Sequence, residues 1–313
     1  MRTVEIPEDT AEAKVFKNIL YLTDFSEPSE SALPFAASIA RRHGSNVFAL
    51  HVLTPEPYLY TTYLTPASAG IVREAEEERA KAEMQKTESQ LSGVRHEVAM
   101  RWGPDVWAAA EQAIRQQKSD LIVLGTHGRT GAEKFLMGSV AEEIFRRSPV
   151  PVLTIGPRVR AAHNGAIFHR VLFATDFTPE SVAARPYAMS FAQENQAHLL
   201  LLFVMRRPKE QGGPARDEFE LSVAEAIHRL YDVVPEGTKL TYAPEVAVEY
   251  GDPADRILSA AAKFGADLIV MGVRDAGGRM SAATHLERTT AHKVVTRATC
   301  PVLTVRGQEK NTS

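Results

Sequence analysis

The sequence predicts an α/β protein built as two tandem, doubly wound domains, each with an open parallel sheet. Three observations predict it. Short apolar runs alternate with helical stretches along the whole chain. Several runs are apolar on successive residues, as a strand covered on both faces should be. The second half also repeats the first. Asn18-Ile19-Leu20-Tyr21-Leu22-Thr23-Asp24-Phe25-Ser26 matches Arg170-Val171-Leu172-Phe173-Ala174-Thr175-Asp176-Phe177-Thr178 at an offset of 152 residues. Three further anchors follow in the same order. Gly103-Pro104 pairs with Gly251-Asp252-Pro253, Asp120–Gly125 with Asp267–Gly272, and Pro151-Val152-Leu153-Thr154 with Pro301-Val302-Leu303-Thr304, at offsets of 148, 147 and 150. A period that long is a whole domain, since solenoid repeats run to 20–50 residues. Domains are expected over 15–157 and 169–306, joined by a short linker, with tails at 1–14 and 307–313.

In the first copy, strands are expected at about 18–23, 46–53, 96–101, 120–125 and 151–155. The first helix carries Ala32-Leu33, Ala36-Ala37 and Ile39-Ala40 at helical spacing. The second, Arg73 to Gln90, is charged and poor in apolar residues, and is expected to lie largely in solvent. The third follows Pro104, read as a first-turn proline, with Val106-Trp107, Ala110 and Ile114 facing inward. Trp102 and Trp107 are expected to pack under it. The last strand of each copy is a candidate edge strand, and pairing the two copies as an intramolecular pseudo-dimer would cover both edges. Further homodimerisation stays open.

Composition narrows the function classes. The chain has 313 residues with 36 basic and 39 acidic side chains, a formal charge of −3. No basic field argues for nucleic acid. The single cysteine, Cys300, excludes an intramolecular disulfide framework and a multi-cysteine zinc site, and reads as a core filler. No uncharged apolar run reaches the roughly 18 residues of a membrane span. The polar N-terminal stretch, with four acidic residues in the first fourteen, lacks the apolar core of a signal peptide. The expected location is cytoplasmic.

The chemistry concentrates in Leu124-Gly125-Thr126-His127-Gly128-Arg129-Thr130-Gly131, closed by Gly138-Ser139-Val140. It reads as strand, glycine-rich loop and helix start. Glycines let backbone approach a ligand, and a helix N-terminus offers unpaired N–H groups and a positive dipole end to phosphate. Ligands of doubly wound sheets collect beyond the carboxyl ends of the strands, where Asp24 and this loop both lie. If their strands are neighbours, a nucleotide can span the gap. Two readings of Asp24 stand: a group for base or ribose hydroxyls, and a helix cap in Asp24-Phe25-Ser26-Glu27-Pro28. No Walker loop and no G-x-G-x-x-G after the first strand is present, which disfavours those nucleotide folds. No histidine cluster has ligand spacing, so no metal site is assigned. His51 reads as a core or pocket-lining residue, and His285, Arg288 and His292 as a solvated face of the last helix. No serine has an adjacent base for covalent catalysis.

These residues resemble the universal stress protein family in its tandem form. The family's signature G-x2-G-x9-G-[ST] is met by Gly125, Gly128, Gly138 and Ser139, and Leu136–Glu143, Ser148–Leu153, Ile19–Asp24 and Leu50-His51-Val52 are family-like. The resemblance implies a strand order of 3-2-1-4-5 in each domain, an adenine nucleotide alpha hydrolase-like fold, and binding of ATP, with Mg²⁺ as its companion. By that pattern Asp24 would hold the adenosine, with Leu22 and Thr23 before it, and Val52 and Leu124 would line the base or ribose pocket. Leu22 stands where the family often has proline. Gly125, Gly128, Gly138, Ser139 and Val140 would hold the phosphates, with His127, Arg129 and Thr130 inside the loop. In the second copy Asp275 falls on the loop's second glycine and Arg288 on the helix-start glycine, so one ATP site, in the first half, is expected. Function is expected to be nucleotide-dependent regulation in a stress response. The alternatives are a slow ATPase and an interaction scaffold without turnover.

Overall fold

The computed structural model describes residues 16–55, 66–126, 137–159, 167–205, 216–273 and 289–307. In the first half the order is β1 (Asn18–Thr23), α1 (Glu27–Glu30), α2 (Leu33–His43), β2 (Asn46–Leu53), α3 (Pro66–Gln90), β3 (Arg95–Trp102), α4 (Val106–Gln117), β4 (Leu121–Gly125), α5 (Ser139–Arg147) and β5 (Val152–Ile155). The second half runs β6 (Arg170–Thr175), α6 (Pro179–Glu194), β7 (His198–Met205), α7 (Arg216–Asp232), β8 (Glu245–Tyr250), α8 (Pro253–Phe264), β9 (Leu268–Val273), α9 (Thr290–Arg297) and β10 (Val302–Arg306).

All ten strands form one sheet in the order β3-β2-β1-β4-β5-β10-β9-β6-β7-β8. Each half is therefore 3-2-1-4-5, as the resemblance implies. Neighbours are parallel except at the centre, where β5 and β10 pair antiparallel with Leu153 opposite Leu303. The contact is reciprocal. Thr154 Oγ1 donates to the Val302 carbonyl at 3.0 Å and Thr304 Oγ1 to the Val152 carbonyl at 3.3 Å, giving each buried hydroxyl a partner. The two candidate edge strands thus cover one another, as the expected pairing of the two copies requires.

Because successive strand residues point to opposite faces, two apolar layers form. Ile19, Tyr21, Leu121 and Val123 face one layer with α2 and α6, while Leu20, Leu22, Ile122 and Leu124 face the other with α4, α5, α8 and α9. An aromatic cluster joins the halves within the first layer. Phe35 stacks on Phe168 at 6.3 Å, and Phe16 on Tyr187 at 5.8 Å.

Several sequence expectations change in detail. The first helix is broken into α1 and α2, with Ser31 and Ala32 between them. Pro104 lies ahead of α4, not in its first turn; Asp105 is the N-cap and accepts from the Ala108 amide at 3.2 Å. Trp107 is buried under α4, but Trp102 packs against α3, donating from Nε1 to Glu77 at 2.5 Å beneath Arg73. Helix α3 starts earlier than Arg73 and buries Ala80, Met84 and Thr87. Cys300 is a core residue, placed in the turn before β10. His292 is buried in α9, not on a solvated face, while His285 and Arg288 lie outside the described residues.

Candidate nucleotide site at the carboxyl ends of the strands

Strand β1 lies between β2 and β4, with Tyr21 opposite Val123. The residues that follow, Asp24 and Thr126, therefore emerge side by side at the carboxyl edge. Alternation then sorts the expected site residues by face. Leu22 and Leu124 point into the layer of α4 and α5, and Val52 packs against it; Asp24, two residues after Leu22, continues on that face. Thr23 does not. Its side chain is buried on the opposite face, where Oγ1 meets Ser29 Oγ at 3.1 Å and accepts from the Phe25 amide at 3.0 Å.

Asp24 is not the helix cap. Its Oδ1 accepts from the Ser26 amide at 3.0 Å and from Ser26 Oγ at 2.5 Å, and Ser26 in turn caps α1 by accepting from the Ser29 amide. The second copy repeats this arrangement: Asp176 Oδ1 accepts from the Thr178 amide and hydroxyl at 3.2 and 2.6 Å, and Thr178 caps α6. Between acid and cap, Phe25 and Phe177 have φ of 59° and 58°. A left-handed backbone is costly for a bulky side chain, and both turns are held by neighbouring contacts. Phe25 packs on His51 at 4.2 Å, while His51 Nδ1 sits 2.8 Å from the Thr23 carbonyl. His51 is thus a buried support of the turn.

The glycine at the end of β4 has a structural reason that the sequence reading missed. A Cβ on Gly125 would lie 2.5 Å from the Pro28 carbonyl oxygen and 2.7 Å from the Ser29 amide. The Cβ position of Gly272 is filled in the same way, 2.4 Å from the Glu180 carbonyl oxygen. The missing side chain makes room for the helix that follows the first strand of each half.

The loop's closure is direct. Gly138 donates its amide to the Thr126 carbonyl at 2.8 Å, and the Thr126 amide donates to Ile155 at 3.0 Å. Gly138 is the N-cap of α5 with extended backbone, and no side chain caps this end. The first-turn amides of Ser139 and Val140 have no intrahelical acceptor and carry the positive dipole end. Both residues are exposed; Val140 is 40% accessible. His127, Gly128, Arg129 and Thr130 lie outside the described residues, as do Asp275 and Arg288 of the second copy. Among the described residues no group of three or more metal-ligating side chains occurs. No helix there is long and apolar enough to cross a membrane.

This geometry, two copies of one sheet order with a capped acid turn beside a glycine at the fourth strand, can be set against known proteins. The model of the universal stress protein family matches residues 16–156 and again 167–306. The chain belongs to the universal stress protein family. Each half is the length of a whole relative. A universal stress protein of Methanocaldococcus jannaschii is 31% identical over 143 residues, covering 45% of this chain and 82% of its own. One from Thermus aquaticus is 31% identical over 142 residues, again 45% of this chain and 99% of its own. Among solved structures, a universal stress protein from Archaeoglobus fulgidus covers 93% of this chain and 98% of its own at 25% identity, with a TM-score of 0.61.

The second half of this family member contains what the sequence did not anticipate. A cavity of about 630 Å³ opens beyond β6, β7 and β9. It occupies the place that corresponds to the first half's expected base pocket. Ala174, Val204 and Met271 line it where the first half has Leu22, Val52 and Leu124. Asp275 and Arg288, on which the expectation of a single site rests, lie outside the described residues. Two of its walls, Phe145 and Arg146, come from α5 of the other half. No pattern along the chain brings those residues there; the antiparallel β5–β10 pairing does.

Proposed function

We propose that the first half binds an adenine nucleotide, ATP with Mg²⁺ as its companion, and that this binding serves regulation in a stress response. The observation that carries the reading is the hydrogen bond from the Gly138 amide to the Thr126 carbonyl. It draws the N-terminus of α5 to the end of β4, beside the strand that Asp24 follows. Phosphate oxygens would then meet the amides of Ser139 and Val140, with Gly128, Arg129, Thr130 and His127 in the connecting loop. The base and ribose would lie along Leu22, Val52 and Leu124, with Asp24 at their edge. The signature spacing of Gly125, Gly128, Gly138 and Ser139 supports the same reading.

The role is binding without efficient turnover. Hydrolysis needs a group that orients the attacking water. Asp24, the acid on this face, already accepts two hydrogen bonds from Ser26. Calorimetric titration with ATP, ADP and AMP on the wild type and on Gly138→Arg tests the reading. The wild type is expected to bind and the variant to lose at least about tenfold in affinity, since an arginine side chain would stand over the first-turn amides. Absence of binding to the wild type overturns the proposal. Phosphate release by the wild type that vanishes in the variant would assign turnover to this site instead.

A further inference from the structure

The crevice of the second half has the size of a small-molecule site, which typically spans about 300–1,000 Å³. Its floor is apolar, built from Leu202, Val204, Ile257 and Met271, with Phe145 beside them. Where the first half carries Leu22, the smaller Ala174 leaves room for a ring.

Its polar groups do not suit a polyphosphate. The helix start is Thr289-Thr290, two β-branched residues, and Thr289 caps α9 by accepting from the His292 amide. Glu180 lines the cavity at the position that Pro28 holds in the first half, and Asp176 adds a second carboxylate. Several negative charges brought beside these acids would be repelled. One anionic group is a different matter. The guanidiniums of Arg146, from the other half, and of Arg306, at the end of β10, balance the two carboxylates, and the first-turn amides of α9 add one positive end.

We infer that this crevice is a second ligand site, for a small aromatic molecule with a single negative charge, and that it is complete only when the two halves are paired. The binding energy comes from the apolar floor, and the anion sets orientation. The inference stands independently of nucleotide binding in the first half.

The test uses 8-anilinonaphthalene-1-sulfonate, an aromatic monoanion whose fluorescence rises in apolar surroundings, titrated onto the full folded chain. One saturable site per chain is expected. Val204→Trp, which fills the cavity from its half-buried floor, and Arg146→Glu, which reverses the charge contributed by the first half, should each weaken it at least about tenfold. Gly138→Arg and saturating ATP should leave it unchanged. Far-UV circular dichroism and the unfolding midpoint show whether each variant is folded; if Val204→Trp is not, Arg146→Glu on the helix surface decides. Lack of a saturable site overturns the inference, as does undiminished binding in the folded variants. Displacement by ATP would make the crevice a nucleotide site and also overturn it.

Discussion

Gly125 and Gly272 show how a residue chosen for one reason can be read for another. Both lie in the strand that precedes the expected phosphate loop, yet each faces the backbone of the helix after the first strand of its half. Gly125→Ala and Gly272→Ala are each expected to lower stability by about 1–3 kcal/mol, since a methyl group would overlap backbone that cannot step aside. Urea unfolding midpoints check this, and equal losses at the two positions would show that the constraint is independent of any nucleotide. Cys300 makes a second residue-scale prediction. Burial, with Asp267 nearby, pushes its thiol pKa up to about 12. At pH 8 it is expected to resist thiol reagents in the folded chain and to react fully once urea unfolds it, because only the thiolate attacks. Rapid labelling of the native protein would contradict that burial.

At the scale of elements, the turn from first strand to first helix is the unit that both halves repeat. Asp24 holds Ser26, Ser26 caps α1, and Thr23 ties the far side through Ser29. The second copy does the same with Asp176, Thr178, Thr175 and Ser181. Loss of a serine or threonine cap costs typically ~1 kcal/mol. Thr178→Ala is therefore expected to destabilise by about that amount, read from the denaturation midpoint, while leaving nucleotide binding to the first half intact. A second repeated device was invisible to pattern reading. Asp120 accepts from the amides of Lys17 and Asn18 at 2.8 and 3.1 Å, and Asp267 from those of His169 and Arg170 at 2.7 and 2.9 Å. Each acid, standing one residue before its half's fourth strand, holds the start of the first strand. The only signal was its recurrence in both copies, and recurrence alone does not say what a carboxylate holds.

At the scale of the whole molecule, the two halves meet along β5 and β10 and through the cluster around Phe16, Phe35, Phe168 and Phe191. His43 on α2 and Glu194 at the end of α6 face each other there at 3.0 Å, and Arg42 donates to the Glu194 carbonyl at 2.7 Å. Burial lowers the pKa of His43 below its ordinary 6.5, against the pull of Glu194. The folded chain therefore favours the neutral ring, whereas the unfolded chain takes up its proton near 6.5. Stability from this group is present above that value and is lost as pH falls from it toward the lower folded pKa. His43→Gln is expected to flatten the dependence of the unfolding free energy on pH below 6.5, the free histidine value from which the downward shift opens the window. A slope unchanged by the substitution would place the acid sensitivity elsewhere.

Much of this architecture was written along the chain. The duplication, the strand positions, the apolar runs of a sheet covered on both faces and the family signature all depend on residues close in sequence, where period and spacing act directly. Helix boundaries shifted because capping is a matter of hydrogen bonds: Asp105 caps α4, leaving Pro104 ahead of the first turn it was read into, and Ser26 takes the cap that was one of two readings of Asp24. What only the tertiary structure decided is which residues far apart in the chain share a face or a wall. Alternation along β1 turned Thr23 away from Leu22, and the antiparallel join of β5 and β10 carried Phe145 and Arg146 into the crevice of the other half. Neither follows from local pattern, because a side chain's surroundings are set by the register and direction of strands more than a hundred residues apart.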